Sequence, residues 1–415
     1  MNFLSTEISQ CSICKASALD DIINLGNQPP ANSLAKTSGE VIDVVPLKLL
    51  FCNKCGTVQL SQHIAPQQLF SDYVWVTGTS GVANDYSKNF SELVLNKCGL
   101  QKPRIIEIAS NDGTFLRQFK NAGCDILGID PAKNIAENAI NKGIPTVIDF
   151  FSSEVANRIK KNLDENNNVV IARNVIPHVS NIHSVIEGIK VLISEKGVGV
   201  IEFHNSSLLV EELQYDYIYH EHLYYFTLKS ISKLLSLHQL NIFDMFLSPI
   251  SGGSYVILFN LVETNGLNKS NYLIKKVDEE TANNYDKLET WKSFGIACIK
   301  HKKEVTEFLK PFKGHIVGYG ASARSSTILN FCGLNAGDIR FIIDNNELKR
   351  GKFTAGSGIK IISSLESRSE IMEEDVILIL AWNFREEIMK ELRSAGFNNK
   401  IITLLPNSAT LYDNK

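Results

Sequence analysis

Glu107-Ile108-Ala109-Ser110-Asn111-Asp112-Gly113-Thr114 ends an apolar run, 104–109, in a polar turn with one glycine. A strand that stops this way and runs on into a helix turns backbone N–H groups outward at the helix N-terminus. Outward from this turn, further apolar runs recur at 125–130, 145–150, 169–173 and 197–203. Helical stretches of about 10–20 residues separate them, which predicts a parallel sheet covered on both faces, a doubly wound α/β domain. Ligands of such sheets lie beyond the carboxyl ends of the strands. Asp130 ends the second run 17 residues after Gly113, where a carboxylate accepts two ribose hydroxyl hydrogen bonds. Asp149-Phe150 ends the third run and Asn174 follows the fourth, on the same rim. The runs 242–250 and 254–261, separated by Ser251-Gly252-Gly253, read as an antiparallel hairpin closing the sheet.

Composition bounds the rest. The 415 residues exceed one compact core and fit two or three domains. A net charge of −3 gives no pull toward nucleic acid or an anionic membrane. No apolar run reaches the length of about 18 residues that spans a bilayer, and the first residues lack the pattern of a signal peptide. The expectation is a cytoplasmic protein with neither nucleic acid nor membrane as partner. In that compartment the eight cysteines point to metal or free thiols before disulfides.

Cys11-Ser12-Ile13-Cys14 and Cys52-Asn53-Lys54-Cys55 are two CxxC pairs 37 residues apart. Two such knuckles complete a tetrahedron of thiolates around zinc, with no open position for water, so the metal is structural. The alternative is chance pairing or a redox dithiol. The spacer holds too little apolar material for its own core, so metal would supply much of the local fold.

A third feature is density of acid–base residues. Glu202-Phe203-His204-Asn205 is followed by Tyr215-Asp216-Tyr217-Ile218-Tyr219-His220-Glu221-His222 and Tyr224-Tyr225-Phe226. Such a stretch abstracts a proton and stabilises an oxyanion in one pocket. His178 falls just past the fourth strand, on the same rim. His220-Glu221-His222 alternatively holds a metal, but adjacent residues of an extended chain face opposite ways. A histidine here is otherwise a structural hydrogen-bonder.

The charged helical stretches 272–294 and 296–308 read as a bridge. Beyond them, Gly318-x-Gly320-x-x-Ala323 with Asp344 is a degenerate dinucleotide fingerprint. It suggests NAD or, alternatively, a phosphate cradle for another nucleotide, with Ser322, Arg324 and Ser325 as donors.

The middle segment resembles the class I S-adenosylmethionine methyltransferases, whose first motif, acid-x-G/A-S/C-x-x-G, matches Glu107 to Gly113. The rival dehydrogenase loop needs GxGxxG, and only one glycine stands between Glu107 and Thr114. Over nearly its full length the chain resembles the sugar C-methyltransferases of deoxysugar biosynthesis. The motifs that carry this resemblance come in order: Cys11–Cys14, Leu25-Gly26-Asn27-Gln28-Pro29 with Asn32, Cys52–Cys55 with Gly56, Ser110–Gly113, Tyr219–His222, Gly252-Gly253-Ser254, Gly318–Ala321 and Ala381-Trp382-Asn383.

The resemblance implies a zinc-binding domain at 1–70, a class I methyltransferase domain at 71–265, a helical bridge at 266–310 and a C-terminal Rossmann-like α/β domain at 311–415. It implies S-adenosylmethionine held by Glu107, Ser110, Asn111, Asp112, Gly113, Asp130, Asp149, Phe150 and Asn174, and structural zinc. The substrate implied is a nucleotide-diphosphate 4-keto-6-deoxysugar, methylated beside the ketone, typically at C3. His222 takes the place of the base, with Glu221, Tyr219, His178 and the linker residue Tyr73 beside it. His220, Gly320, Ser322, Arg324 and Ser325 fall in the substrate's share, which displaces the NAD reading. The family carries Pro and Lys where this chain has Ser322 and Arg324. The competing functions are an O- or N-methyltransferase of a small molecule, an NAD-dependent nucleotide-sugar oxidoreductase, and a noncatalytic zinc-and-nucleotide module. A nucleic-acid methyltransferase is disfavoured because no [DN]PP[YF] motif or basic face is present.

Overall fold

The computed structural model describes residues 4–70, 76–79, 81–163, 167–193, 195–262, 268–364, 367, 370–373 and 375–413. The strand Asn168–Arg173 explains the central architecture: Val169, Val170, Ile171 and Ala172 are all fully buried. An unbroken apolar run of this kind belongs to a strand covered on both faces. Its neighbours in a seven-stranded sheet run in the order Leu240–Ser248, Ser254–Leu261, Val198–His204, Asn168–Arg173, Arg104–Ile108, Ile126–Ile129, Thr146–Val147. Ser254–Leu261 is antiparallel to both of its partners, and the five strands on its far side are mutually parallel. The expected hairpin therefore forms, and its second strand is inserted between its first strand and the parallel set.

Alternate residues of these strands feed two cores. Ile106, Ile108, Val170, Ala172 and Ile201 face one way. Ile105, Val169, Ile171 and Val200 face Phe90 and Val94 of the helix Gly81–Cys98 and Phe115 and Phe119 of the helix Thr114–Asn121. At roughly 25 cal/mol per Å² of apolar surface, two such faces make this sheet the stable frame on which the rim loops sit.

The N-terminal unit is an antiparallel sheet of Leu19–Gln28, Val45–Cys52 and Val58–Leu60, with a small pair of strands, Ser5–Glu7 and Gln62–Ile64, beside it. Its fourth strand, Tyr224–Tyr225, comes from the far end of the tyrosine–histidine stretch and pairs with Val58 and Gln59. The C-terminal unit is a six-stranded sheet in the order Ile361–Ile362, Ile339–Ile343, Ile316–Tyr319, Val376–Ile379, Lys400–Thr403, Thr410–Tyr412. It is parallel except for its last strand.

The connection between the two large sheets corrects the expected bridge. Its helices are Asn271–Ala282 and Leu288–Leu309, so the break falls at 283–287 and Gly295 lies inside the second helix. A Cβ at Gly295 would sit 2.4 Å from the Ile22 carbonyl oxygen. Glycine is used there because the helix rests on the backbone of the strand Leu19–Gln28. Trp291, Phe294 and Cys298 of this helix are buried with Ile22, Ile23 and Leu25 in one continuous core. No helix among the described residues is long and apolar enough to cross a membrane.

Candidate active site

Four cysteines form the metal centre. Their sulfurs all lie within 4.8 Å of one another, with Cys11–Cys55 at 3.6 Å and Cys14–Cys52 at 3.5 Å. Four thiolates at zinc–sulfur distances of about 2.3 Å stand close to 4 Å apart, so the set fits one tetrahedral zinc ion. Three of these thiols are buried and one half-buried, and all four are unbridged, the state in which a metal would take them. Among the described residues this is the only group of three or more candidate metal ligands. His220-Glu221-His222 is therefore no metal site, for reasons its contacts make plain below.

The turn after the first strand takes the shape that the sequence suggested. Ala109, Asn111 and Gly113 all have positive φ, and Gly113 opens the helix Thr114–Asn121. Asp130 ties this turn to the second strand: its Oδ2 accepts from Asn111 N at 2.8 Å and its Oδ1 from Ala132 N at 2.9 Å. Each oxygen keeps a further lone pair, so the carboxylate is oriented and still able to accept two hydroxyls. Burial raises the Asp130 pKa above the ordinary value, and the same two amides oppose that shift. Asp112 is turned inward, its Oδ1 accepting from Thr114 Oγ1 at 2.7 Å. Ser110 also turns inward, onto Gly128, where any Cβ would lie 2.4 Å from its hydroxyl.

The remaining rim residues divide. Asn174 stands at φ 50° with its Oδ1 buried and unpartnered, and the Oε2 of Glu107 is likewise unpartnered. Burial pushes Glu107 up to about 8, with Arg173 pulling the other way. Arg173 is occupied by Glu202 at 2.7 Å and lies over the Phe115 ring at 3.2 Å. Phe150 is an exposed aromatic on the rim. Asp149 beside it is paired with Arg158 at 2.5 Å, which removes a free acid from that place. An oriented carboxylate, two unsatisfied buried oxygens and an exposed ring fit an adenosine-bearing cofactor with an amino-acid tail. The segment Thr77–Thr79 lies over this turn: Thr77 N donates to Asn111 Oδ1 at 2.8 Å, and a Cβ at Gly78 would meet Asp112 Oδ2 at 2.4 Å. Only that glycine in the linker signalled such an approach. Tyr73 lies outside the described residues.

The tyrosine–histidine stretch hangs from the rim beside this turn. Leu223 N donates to Pro177 O at 2.7 Å, and His178 Nδ1 lies 2.7 Å from Glu221 O. Within it, the His222 ring is 3.9 Å from that of Tyr219, 4.2 Å from Tyr217 and 4.8 Å from His178, and Tyr217 stacks on His204 at 3.8 Å. His222 Nδ1 lies 2.9 Å from Tyr217 O. A carbonyl accepts only from an N–H, so Nδ1 carries the proton and Nε2 the lone pair. Burial holds His222 well below its usual pKa, with His178 adding to the effect, so the ring is neutral. Burial also holds His178 down, to about 4.

Two neighbours face elsewhere. His220 Nε2 lies 3.1 Å from Val45 O in the N-terminal sheet, which takes it out of the cluster. The Glu221 carboxylate accepts from Asn32 Nδ2 at 3.0 Å, and burial pushes it up to about 7. It is the Glu221 backbone carbonyl that meets His178, and the side chain reaches the zinc-bearing unit.

The C-terminal loop uses its own donors. A Cβ at Gly320 would collide with the Ala381 side chain at 2.5 Å, and Ser322 Oγ accepts from Ser325 N at 3.2 Å. Ser325 Oγ donates to Ser322 O at 2.6 Å. Asp344 accepts from Ala321 N, Asn346 N and Lys349 Nζ at 2.9, 2.8 and 3.2 Å, which fills Oδ2 and leaves one lone pair on Oδ1. Arg324 is buried and holds Asp216 with two bonds, Nε to Oδ2 at 2.8 Å and Nη2 to Oδ1 at 3.0 Å. It also donates to Gln214 Oε1 and Ser251 O, both at 3.3 Å. Arg324 thus has four of its five N–H donors engaged within the chain. Asp216, which nothing in the spacing of the stretch singled out, is the residue that claims it.

Comparison with known proteins agrees with this layout. Family models described as a zinc binding domain, a methyltransferase domain and a C-methyltransferase C-terminal domain match residues 11–70, 81–244 and 249–406. The C-methyltransferase NovU of Streptomyces niveus is 28% identical over 392 residues, covering 92% of this chain and 91% of that protein. Among solved structures, magnesium protoporphyrin IX methyltransferase of Synechocystis PCC 6803 with bound S-adenosylmethionine is 12% identical, with a TM-score of 0.32 over 43% of this chain and 79% of that one. The glycopeptide N-methyltransferase MtfA with sinefungin is 9% identical, with a TM-score of 0.33 over 42% of this chain and 86% of that one. The chain is an S-adenosylmethionine-dependent methyltransferase with a structural zinc site, and along its length it is similar to C-methyltransferases in which zinc-binding, methyltransferase and C-terminal domains follow one another.

Proposed function

We propose that the substrate is a nucleotide-diphosphate 4-keto-6-deoxysugar and that methylation falls on the carbon beside the ketone, C3, through an enolate formed by His222. The observation that supports this most directly is the state of His222, a neutral imidazole in a buried aromatic box with Nδ1–H fixed on Tyr217 O. A carbon nucleophile must first be made by taking a proton from a C–H beside the carbonyl, and a neutral imidazole with a fixed lone pair is suited to that step. The ordered sugar C-methyltransferase motifs supply the substrate class.

Nε2 of His222 takes the proton from the carbon beside the carbonyl, and the C–H electrons move into the enolate. We assign the donor to the developing oxyanion to Tyr219, whose ring lies 3.9 Å from that of His222. His178 stands beside the base, its Nδ1 2.7 Å from Glu221 O and its ring 4.8 Å from that of His222. Glu107, Asp130 and Asn174 hold the cofactor at the strand ends. S-adenosylmethionine, when bound, supplies the electrophilic methyl group on a sulfonium.

The test is incubation with S-adenosylmethionine and a panel of nucleotide 4-keto-6-deoxysugars in deuterated water, read by NMR and mass spectrometry. The expected result is methyl gain at the carbon beside the ketone, lost in His222→Ala by about 10²–10⁴-fold while cofactor binding persists. Methyl gain on oxygen or nitrogen, or a His222→Ala enzyme within a few-fold of wild type, refutes the proposal.

A further inference from the structure

We propose that Arg324 of the C-terminal unit is a positioning residue for His222: by holding Asp216 in a two-point grip it fixes the turn whose Tyr217 carbonyl sets the His222 ring and its tautomer. The proposal rests on the reading of His222 as the base and adds how that base is kept in its working form.

The chain of contacts is short. Asp216 and Tyr217 belong to the one-turn helix Tyr215–Tyr217, and Tyr217 O is the acceptor of His222 Nδ1. The residues on either side of Tyr217 are held by the C-terminal unit. Asp216 takes Arg324 at 2.8 and 3.0 Å and Trp382 Nε1 at 2.8 Å. Ile218 O accepts from Thr327 Oγ1 at 2.7 Å. Arg324 and Thr327 sit one turn apart on the helix Ala323–Cys332, so one rigid element grips both flanks of the carbonyl. The guanidinium carbon also lies 5.3 Å from the Tyr217 ring and 4.7 Å from that of Trp382, which stacks it between the turn and its own unit. Gly252 completes the fit: a Cβ there would stand 3.4 Å from Arg324 Nη1.

A mere inter-unit ion pair would not need this geometry. A planar fork meets two carboxylate oxygens at once, and a lysine delivers a point charge that leaves the turn free to rock. Rotation of the Tyr217 carbonyl away from Nδ1 removes the one contact that prefers the Nδ1–H form. The proton then shifts to Nε2, where it blocks the lone pair, and displacement by as little as about 1 Å costs on the order of 10²-fold in rate.

The experiment uses the full zinc-loaded chain with ¹⁵N-labelled histidine and bound S-adenosylhomocysteine, in wild type, Arg324→Lys and the doubly substituted Arg324→Met/Asp216→Asn. The double variant leaves no unpaired buried charge, so it remains folded if the single variant does not. The ring nitrogens of His222, assigned by their loss in His222→Ala, are expected to report a single Nδ1–H form in wild type. Both variants are expected to give a mixture of the two tautomers with S-adenosylhomocysteine affinity within about threefold. On the substrate found in the panel above, kcat is expected to fall about 10–100-fold with KM little changed. An unaltered ¹⁵N pattern in both variants overturns the proposal. So does a rise in KM at constant kcat, which makes Arg324 a substrate-phosphate ligand. If His222→Ala itself retains full activity, the base reading has failed, whereas the tautomer spectra still report on positioning alone.

Discussion

Replacing Asp130 by Asn tests the cofactor site at its most constrained point. The wild-type carboxylate accepts Asn111 N at 2.8 Å on one oxygen and Ala132 N at 2.9 Å on the other. An amide has one acceptor oxygen, so its NH₂ must face one of these two N–H groups, donor against donor. The loss is one hydrogen bond to a charged group, about 1.5–3 kcal/mol, and with it one of the two acceptors offered to the ribose. Because the Asn111 amide belongs to the cofactor turn, the loss is felt as affinity. At 1.4 kcal/mol per tenfold, S-adenosylmethionine should bind about 10–100-fold more weakly. The two buried faces of the sheet do not depend on this side chain, so the variant should fold. Titration calorimetry with S-adenosylhomocysteine on wild type and Asp130→Asn gives the ratio directly. A dissociation constant within about threefold of wild type would mean that the carboxylate only ties the strands together, and the assignment of Asp130 to the ribose would be wrong.

Zinc removal should stop methyl transfer while leaving S-adenosylhomocysteine binding within about threefold. The zinc-bearing unit sends Asn32 to Glu221 and Val45 O to His220; unaltered turnover by metal-free protein would sever that link. Gly295→Val places a side chain against Ile22 O, 2.4 Å from the Cβ position, and should cost about 1–3 kcal/mol; a denaturation midpoint equal to wild type argues against this packing. Stability should peak about pH 6–7. Buried His63, His178 and His220 are held down to about 4 and His204 to about 3, so the unfolded chain takes up protons that the fold refuses as pH falls below 6.5. Glu107 and Glu280 at about 8 and Glu221 at about 7 act in the opposite sense, and the stability they confer is lost as pH rises from 4.5 through those values. Urea denaturation between pH 5.5 and 8 reads this directly, and a monotonic rise across the range contradicts it.

What was legible in the sequence is what depends on near neighbours. The parallel strands, the turn at Glu107–Thr114 and the closing hairpin follow from period, run length and glycine placement. The two CxxC pairs announce each other because the chemistry of zinc demands four ligands. The partners of charged residues were not legible, because pairing is settled by packing between distant segments. Asp149 is claimed by Arg158, Glu221 by Asn32 and Arg324 by Asp216, across 9, 189 and 108 positions. Gly295 misled in the same way: from the sequence it interrupts a helix, and only the strand that passes beneath explains it. The C-terminal glycine loop kept the spacing of a nucleotide site, while its serines cap their own helix and its aspartate holds its own turn.

These pairings share a direction. The segment 214–225 is no strand of the seven-stranded sheet, and contacts from all three units fix it. Val45 O holds His220, Asn32 holds Glu221, Pro177 O holds Leu223, and Arg324 with Thr327 holds the turn at Asp216–Ile218. A base buried among aromatic rings is useful only if its lone pair points one way, and residues 218–223, between the one-turn helix and the strand Tyr224–Tyr225, have no ladder to enforce that. The zinc-bearing unit and the C-terminal unit supply the missing constraints from opposite sides. On this view the flanking units are parts of the acid–base apparatus. The single methyltransferase sheet, cut free of them, would keep the means to bind S-adenosylmethionine and lose the means to make a carbon nucleophile.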